Sequence, residues 1–329
     1  MKRFSIVILA IFLLAGMFRL GNNEIQAAEK YPAKPINVIF PLESGADGDI
    51  AARPLVQKAS EIIGKPMVVV NKPGGGNTIG HREVYNAKPD GYTIGLAVTS
   101  IASARLLGLM PYDHHGFTPI SLIITSHPII YASVKTQRPF KTIEEVITFA
   151  KANPGEISMA TTAVGGIYWI TAMVLQETFG AKFNVIPQEG SGGIVVTQVA
   201  GGHQDIGTSG FSSAKAQLDA GNLRLLAVVG DRRCFGKYNY APMLKEIGYD
   251  LSLNSFSGFI GPLKMPKDIT DKLIRTFEMA HSDPEVQRHL ISRNFVPLYL
   301  PGEKFIQFCD REKEINRRVL GKAGLLREK

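Results

Sequence analysis

The chain has 329 residues, 45% of them hydrophobic and 20% charged, with a formal net charge of +8 and two cysteines. That length and balance suit a soluble globular protein of one large or two medium domains with proper cores. No basic run with interleaved aromatics points to nucleic acid, and Cys234 and Cys309 alone do not make a disulfide framework, so both classes are excluded.

The chain opens on Lys2 and Arg3, followed by an apolar run from Ile6 to Phe18 broken by Gly16, with small residues at Ala27 and Ala28. A basic start, a short apolar core and small residues at the cut outline a secretory signal peptide over 1–28. The run falls short of the roughly 20 residues of a comfortable membrane span; an uncleaved anchor is the alternative. Leu14-Ala15-Gly16 resembles the start of a bacterial lipoprotein signal, but Met17 stands where the lipidated cysteine would be. A soluble periplasmic protein is therefore expected. Lys2, Arg3 and Arg19 against Glu24 place +2 on the leader, leaving +6 on the rest. That charge suits anionic small ligands and equally a few surface lysines.

Next comes a strand, Ile36 to Phe40, a loop from Pro41 to Asp49, and a helix with apolar residues at Ala51, Leu55, Ala59 and Ile62. Pro54 falls inside that helix and predicts a kink or tight first turns. A small-residue loop between strand and helix exposes N–H groups at the positive end of the helix dipole, a seat for an anion. The loop lacks the lysine of a phosphate loop, so a carboxylate is the first expectation. A second strand, Met67 to Val70, runs into Pro73-Gly74-Gly75-Gly76-Asn77-Thr78; a helix follows to about Ala87, stopped by Lys88-Pro89-Asp90-Gly91. A third strand, Thr93 to Val98, ends in Thr99-Ser100. This alternation predicts an α/β fold with a parallel, doubly wound sheet and ligands at the carboxyl ends of its strands.

From about Ser126 the pattern restarts. Thr142 with Glu145 fits a capping box, and that helix ends at Asn153-Pro154-Gly155. A strand, Ile157 to Ala160, enters Thr161-Thr162-Ala163-Val164-Gly165-Gly166, then a helix to about Phe179. Phe183 to Ile186 leads into Pro187-Gln188-Glu189-Gly190-Ser191-Gly192-Gly193 and another helix. His203 to Gly210 reads as a short strand with its loop, and Leu223 to Val229 as a buried strand. Helices at Ile269 to Ala280, at Asp283-Pro284-Glu285 and from about Glu303 close the chain and are expected to return to the first lobe. Small-residue loops at strand ends thus recur in both halves, as two lobes facing one another across a cleft would require.

The order of motifs resembles the tripartite tricarboxylate transporter substrate-binding proteins, the Bug or TctC family. The resemblance rests on Tyr31-Pro32-Ala33-Lys34-Pro35-Ile36, Pro41 with Gly45 and Asp49, Val69-Val70-Asn71-Lys72-Pro73-Gly74-Gly75-Gly76, and Lys88-Pro89-Asp90-Gly91-Tyr92-Thr93. Pro111-Tyr112-Asp113, Ala150-Lys151-Ala152-Asn153-Pro154-Gly155, Gly201-Gly202-His203 with Asp205, Ala220-Gly221-Asn222-Leu223-Arg224 and Asp283-Pro284-Glu285 complete the set. It implies a two-lobe α/β architecture like that of periplasmic binding proteins, with the ligand cleft between the lobes. Lobe 1 is expected over 29–125 and 255–329, lobe 2 over 126–254. It implies a monomeric, non-enzymatic protein without cofactor or metal that captures a small organic acid and delivers it to membrane permease subunits.

Carried over by resemblance, Ser44, Gly45, Ala46, Asp47 and Asp49 with Thr99 and Ser100 would hold one end of the ligand. Thr161, Thr162, Gly165 and Gly166 would seat a carboxylate at a helix start, flanked by Gln188, Ser191, Ser209 and Phe211. This chain departs from the pattern: Gly166 stands where a serine is usual, Trp169 where a histidine is frequent, and Gln188 where an aromatic is common. Glu43 and Glu189 add carboxylates that would repel an acid, or recruit an amine on it.

Other motifs have plainer readings. Gly75 to Gly80 matches phosphate-loop glycine spacing, but His81-Arg82 replaces the required Lys and Ser/Thr. Ser191 lacks the first glycine of a nucleophile elbow and reads as a helix N-cap. A secreted α/β hydrolase using Ser191 or Ser209 stays open as an alternative, as does a ligand-sensing receptor component. Adjacent His114 and His115 cannot share one helical face and read as surface or turn residues. Trp169 reads equally as core or cleft wall. Cys234 and Cys309 are expected to be free, buried thiols.

Overall fold

The computed structural model describes residues 31–190 and 192–328. The chain divides into a short unit, Met1–Ala33, described only over 31–33, and a main unit, Lys34–Lys329. The expected leader and Ser191 lie outside the described residues. Among the described residues no helix is long and apolar enough to cross a membrane.

The main unit begins β1 (Ile36–Phe40), α1 (Asp47–Ile63), β2 (Met67–Asn71), α2 (Thr78–Tyr85), β3 (Thr93–Val98) and α3 (Ser100–Ser103). After a 3-10 turn at His114–Gly116 come β4 (Phe117–Ser126), β5 (Pro128–Ser133), α4 (Ile143–Ala152), β6 (Ser158–Thr162) and α5 (Ile167–Phe179). Then follow β7 (Asn184–Gln188), α6 (Gly192–Ala200), β8 (Ile206–Gly210), α7 (Phe211–Asp219) and β9 (Leu223–Val228). The chain ends with β10 (Ser255–Pro262), α8 (Lys267–His281), α9 (Pro284–Ser292), β11 (Val296–Pro301) and α10 (Glu303–Lys322).

These strands build two sheets. One has the order β11-β4-β10-β3-β1-β2, the other β7-β6-β8-β5-β9. The fold is the two-lobe α/β class expected, but neither sheet is purely parallel. β1 pairs in parallel with β2 and β3, and β6 with β7 and β8. β10, β4 and β11 pair antiparallel, as does β5 with β8 and β9. The parallel strands are those followed by crossover helices, and β4, β5 and β10 are the strands by which the chain passes between the sheets.

The passages lie side by side. Only His127 separates β4 from β5, and the chain returns between β9 and β10. The N–H of Val229 donates to Pro128 O at 2.9 Å, and that of Leu253 to Val229 O at 3.1 Å. His127 Nδ1 meets Leu253 O at 3.2 Å. A Cβ on Gly230 would lie 2.1 Å from the His127 ring, so only glycine lets the passages touch. Two adjacent crossovers thus join the two sheets.

Helix α1 buries Ala51, Ala52, Leu55, Val56 and Ala59 on one face and ends at Gly64, whose φ of +75° suits a glycine C-cap. It starts at Asp47, so Asp47 to Asp49 form its first turn rather than the end of the predicted loop. The helix runs unbroken through Pro54. Proline lacks the N–H that would bond the carbonyl of Ile50, and His289 Nε2 on α9 reaches that carbonyl at 2.9 Å. The expected local disturbance is thus answered by a side chain from another helix. Replacing His289 with alanine should cost about 1 kcal/mol, and clearly less in a Pro54→Ala background. Equal costs in the two backgrounds, measured by denaturant unfolding, would refute the pairing.

At α4, Thr142 caps as expected, its hydroxyl accepting from Glu145 N at 3.2 Å. The Glu145 carboxylate accepts from Lys141 N instead, so the box is half formed. The C-terminal helix reaches further than the sequence suggests. Phe305, Phe308 and Cys309 of α10 join the core around Phe256 and Leu122, whereas Leu320 joins the core around Ile170 and Leu226. Helix α10 therefore spans both lobes. Cys234 and Cys309 are free and buried.

Candidate ligand cleft

A cavity of about 210 Å³ opens where the carboxyl ends of β1, β2, β3, β6 and β7 converge. Ligands of open α/β sheets bind at that end of the strands. From the first sheet it is lined by Leu42, Glu43 and Ala46, by Asp47 and Gly48 of α1, and by the turn Pro73, Gly74, Gly76 and Asn77. Val98, Thr99, Ser100 and the start of β10, Ser255 to Ser257, complete that side. The second sheet contributes Thr162, Ala163, Gly166, Ile167, Tyr168, Glu189, Gly190 and Gly192.

Two helices point their N-termini into this space. Ala46 is the N-cap of α1 and Gly166 the N-cap of α5, and neither helix has a side-chain cap. The first amides of a helix have no partner within it and carry the positive end of its dipole. Both termini are therefore open anion seats. The Ser100 hydroxyl is buried beside the cavity with no hydrogen-bond partner.

A third N-terminus, that of α7, is already filled by the protein. Asp47 Oδ1 accepts from the Ser213 N–H at 3.0 Å, and Oδ2 accepts from the Tyr168 hydroxyl at 2.9 Å. Tyr168 and Ser213 belong to the second sheet's helices and Asp47 to the first's, so this carboxylate bridges the cleft. Gly210, the N-cap of α7, makes room: a Cβ there would lie 2.0 Å from Asp47 Oδ2. Burial pushes the Asp47 carboxyl above its usual range, against the pull of these hydrogen bonds.

The glycine turn after β2 also bridges the cleft. Gly74, Gly75, Gly76 and Asn77 all have positive φ, a run that favours glycine. A Cβ on Gly76 would lie 2.8 Å from the Val164 carbonyl, so its lack of side chain lets the two loops meet.

Of the residues expected at the site, Ala46, Asp47, Thr99, Ser100, Thr162 and Gly166 line the cavity. The others take different places. Ser44 and Gly45 are exposed on the loop behind it. Asp49 is buried, accepting from Gly45 N at 3.1 Å and pairing with Arg53, so it braces the loop. The Thr161 hydroxyl donates to Thr162 O at 3.0 Å, and that of Ser209 to Gly210 O at 3.2 Å. Gly165 has φ +88° and packs against Leu109. Gln188 Nε2 reaches Ile186 O at 3.5 Å. Phe211 packs edge-on to Tyr238 at 5.0 Å. Ser191 lies outside the described residues.

At Gly166 the serine that the resemblance leads one to expect would be crowded, because Thr162 Oγ1 lies 2.9 Å from where its Cβ would be. The Thr162 hydroxyl stands in that space. Trp169 packs on the second sheet's core and does not line the cavity. Its neighbour Tyr168 does, and sequence reasoning passed over it. The start of β10 was missed as well.

The histidine pair sits on a turn, as expected. His114 is buried while His115 is exposed, and both imidazoles meet Asp310 Oδ1 at 2.9 Å. They fasten the 3-10 turn to α10, away from the cavity. No histidine, lysine or arginine is among the described lining residues.

The chain resembles known proteins along most of its length. The profile of the tripartite tricarboxylate transporter family receptor matches residues 51–325. Protein BugT of Bordetella pertussis (strain Tohama I) is 30% identical over 227 residues, 68% of this chain and 68% of its own. The solved periplasmic binding protein BugD superposes with a TM-score of 0.83 at 25% identity, covering 90% of this chain and 99% of BugD. The R. palustris protein Rpa4515, solved with adipate, superposes with a TM-score of 0.81 at 22% identity, covering 89% and 98%.

Proposed function

Because the chain belongs to the tripartite tricarboxylate transporter receptor family, we propose that it captures a small carboxylic acid in the periplasm and hands it to membrane permease subunits. The observation that carries the ligand class is the pair of uncapped helix N-termini, α1 and α5, opening on one cavity from two sheets. Backbone N–H groups bonding a carboxylate make charge-assisted hydrogen bonds. The Ser100 and Thr162 hydroxyls stand ready to add to them. The R. palustris neighbour was solved with adipate, an acid of this class.

Capture works by closure. Each lobe offers half of the anion seat, so a ligand touching both is held best when the cleft is shut. Closure then shifts a population that exists without ligand. In this reading lobe 1 comprises 29–125 and 255–329 and lobe 2 comprises 126–254, a division that sheet membership supports. The closed form presents one surface to the permease.

A thermal-shift screen of mono-, di- and tricarboxylates, aromatic acids and amino acids tests the proposal. A micromolar acid at tenfold excess over Kd should raise apparent stability by about 1.4 kcal/mol. A shift with a sugar or inorganic cation, and with no acid, would overturn the carboxylate reading.

A further inference from the structure

We propose that His114, His115 and Asp310 hold a divalent transition-metal ion of the zinc type, away from the ligand cleft. The proposal goes beyond acid capture and stands apart from it. His114 and His115 open the 3-10 turn before β4, and Asp310 lies on α10. Both Nε2 atoms meet the same carboxylate oxygen, Asp310 Oδ1, at 2.9 Å. The two imidazoles tilt by 37°, with their centroids 4.4 Å apart. All three ligand atoms lie within 4.8 Å of one another, and among the described residues no other three His, Cys, Asp or Glu side chains converge in this way.

The chemistry of the donors selects the ion. Two imidazoles and a carboxylate suit zinc, copper or nickel, whereas calcium and magnesium ask for oxygen ligands. Zinc bonds nitrogen and carboxylate oxygen at about 2.1 Å, so neighbouring ligand atoms around it stand roughly 3.0 to 3.4 Å apart. The two 2.9 Å contacts are near that spacing, and the exposed His115 ring has room to adjust. Burial pulls the His114 pKa down, which keeps that imidazole neutral, the form that binds a metal. Facing Asp310 as neutral rings, both histidines present an Nε2–H; binding a metal asks each proton to move to Nδ1. The frame around them is held independently. The Asp113 carboxylate accepts from His115 N at 3.0 Å and from Lys313 Nζ at 2.6 Å, and Lys313 stands one turn along α10 from Asp310. That lysine is engaged with Asp113, which leaves Asp310 to the two histidines. The His115 and Asp310 side chains are 57% and 48% exposed, so an ion can enter and water can complete its shell. The bound ion would clip the turn that starts β4 to the helix that spans both lobes.

Zinc alone tests the site on the purified full chain after dialysis against a chelator. Calorimetry should find one equivalent bound with micromolar or tighter affinity, and zinc should raise the melting temperature. His115→Ala and Asp310→Asn should each weaken binding by at least about tenfold, the loss seen when even an outer-shell partner of a metal is removed. His203→Ala, at an exposed histidine elsewhere, should leave binding unchanged. Cobalt(II) in place of zinc should show the visible bands of nitrogen and oxygen ligation, without the thiolate charge-transfer absorption that ligation by Cys309 would bring. Absence of saturable binding to the parent overturns the proposal. So does an affinity that His115→Ala and Asp310→Asn both retain, a loss as large in His203→Ala, or a thiolate band in the cobalt spectrum. Acid capture stands or falls separately, because none of the three residues lines the cavity.

Discussion

Gly210→Ala lowers ligand affinity on the order of a hundredfold, about 2.7 kcal/mol, and leaves the free protein folded. Gly210 has φ −77° and ψ 154°, extended backbone open to any residue. Glycine is needed there for space alone. An added Cβ would sit 2.0 Å from Asp47 Oδ2, 2.4 Å from its Cγ and 2.7 Å from the Tyr168 hydroxyl. Asp47 arrives from the other sheet, so the methyl meets it only when the lobes come together. The substitution therefore taxes closure most, since within its own lobe the methyl meets only the far end of the Tyr168 side chain, which can shift. Removing the opposing group should restore room: Gly210→Ala combined with Asp47→Ala recovers much of the affinity lost by Gly210→Ala alone. The cycle is read by calorimetry with the best acid from the screen, beside the melting temperature of the free protein. Unchanged affinity in Gly210→Ala, or a fall matched by unfolding of the free protein, would rule this out.

Asp47 itself was visible in the sequence only as one small polar residue of an anion-binding loop. Nothing local links it to Tyr168, 121 positions away, or to Ser213, 166 away. Periodicity reports which face of an element is buried, and not which distant group completes a polar contact. The seat was legible for the opposite reason. A strand, a run of small residues and an amphipathic helix are consecutive in sequence, and their geometry follows from local rules. Thus Ala46, Thr162 and Gly166 were placed at the cleft, and Ser255 to Ser257 were not.

The same distinction explains the fold. β1, β2, β3, β6 and β9 are short apolar runs between turn signals and were read within a residue or two. β10 was missed because Ser255-Phe256-Ser257-Gly258-Phe259-Ile260-Gly261-Pro262 has the composition of a loop. Its glycines serve packing: a Cβ on Gly258 would lie 2.5 Å from Ser121 O and 2.6 Å from the Phe305 ring. β11 contains Pro297 and lies at the sheet edge, where proline is tolerated. Missing these two strands hid antiparallel pairing in the first sheet, and leaving β5 unread hid it in the second, hence the prediction of a purely parallel sheet.

Between pH 7.5 and 4.5 the protein loses about 2.5 kcal/mol of stability through His81 alone, judged from its shifted pKa. His81 is completely buried on α2, edge-on to Phe117 at 6.3 Å. Burial pulls its pKa down from 6.5 to about 4. The unfolded chain therefore takes up a proton below pH 6.5 that the folded chain refuses until about pH 4. Stability is complete above the unfolded value and drains away as pH falls through that window. Burial lowers His114, His127 and His281 in the same direction. Asp47 and Glu312, raised by burial, act oppositely, because the folded state holds their protons more readily. His81→Leu removes the largest histidine contribution, so its urea-unfolding free energy should depend on pH less steeply by about that 2.5 kcal/mol. Parallel pH profiles for variant and parent would refute the assignment. The effect bears on capture because Asn77, the N-cap of α2, lines the cavity. Protonating His81 puts a charge in the buried face of α2, the helix whose N-cap reaches the cleft. Ligand affinity should thus weaken in acid along with stability, and His81→Leu should lessen both losses together.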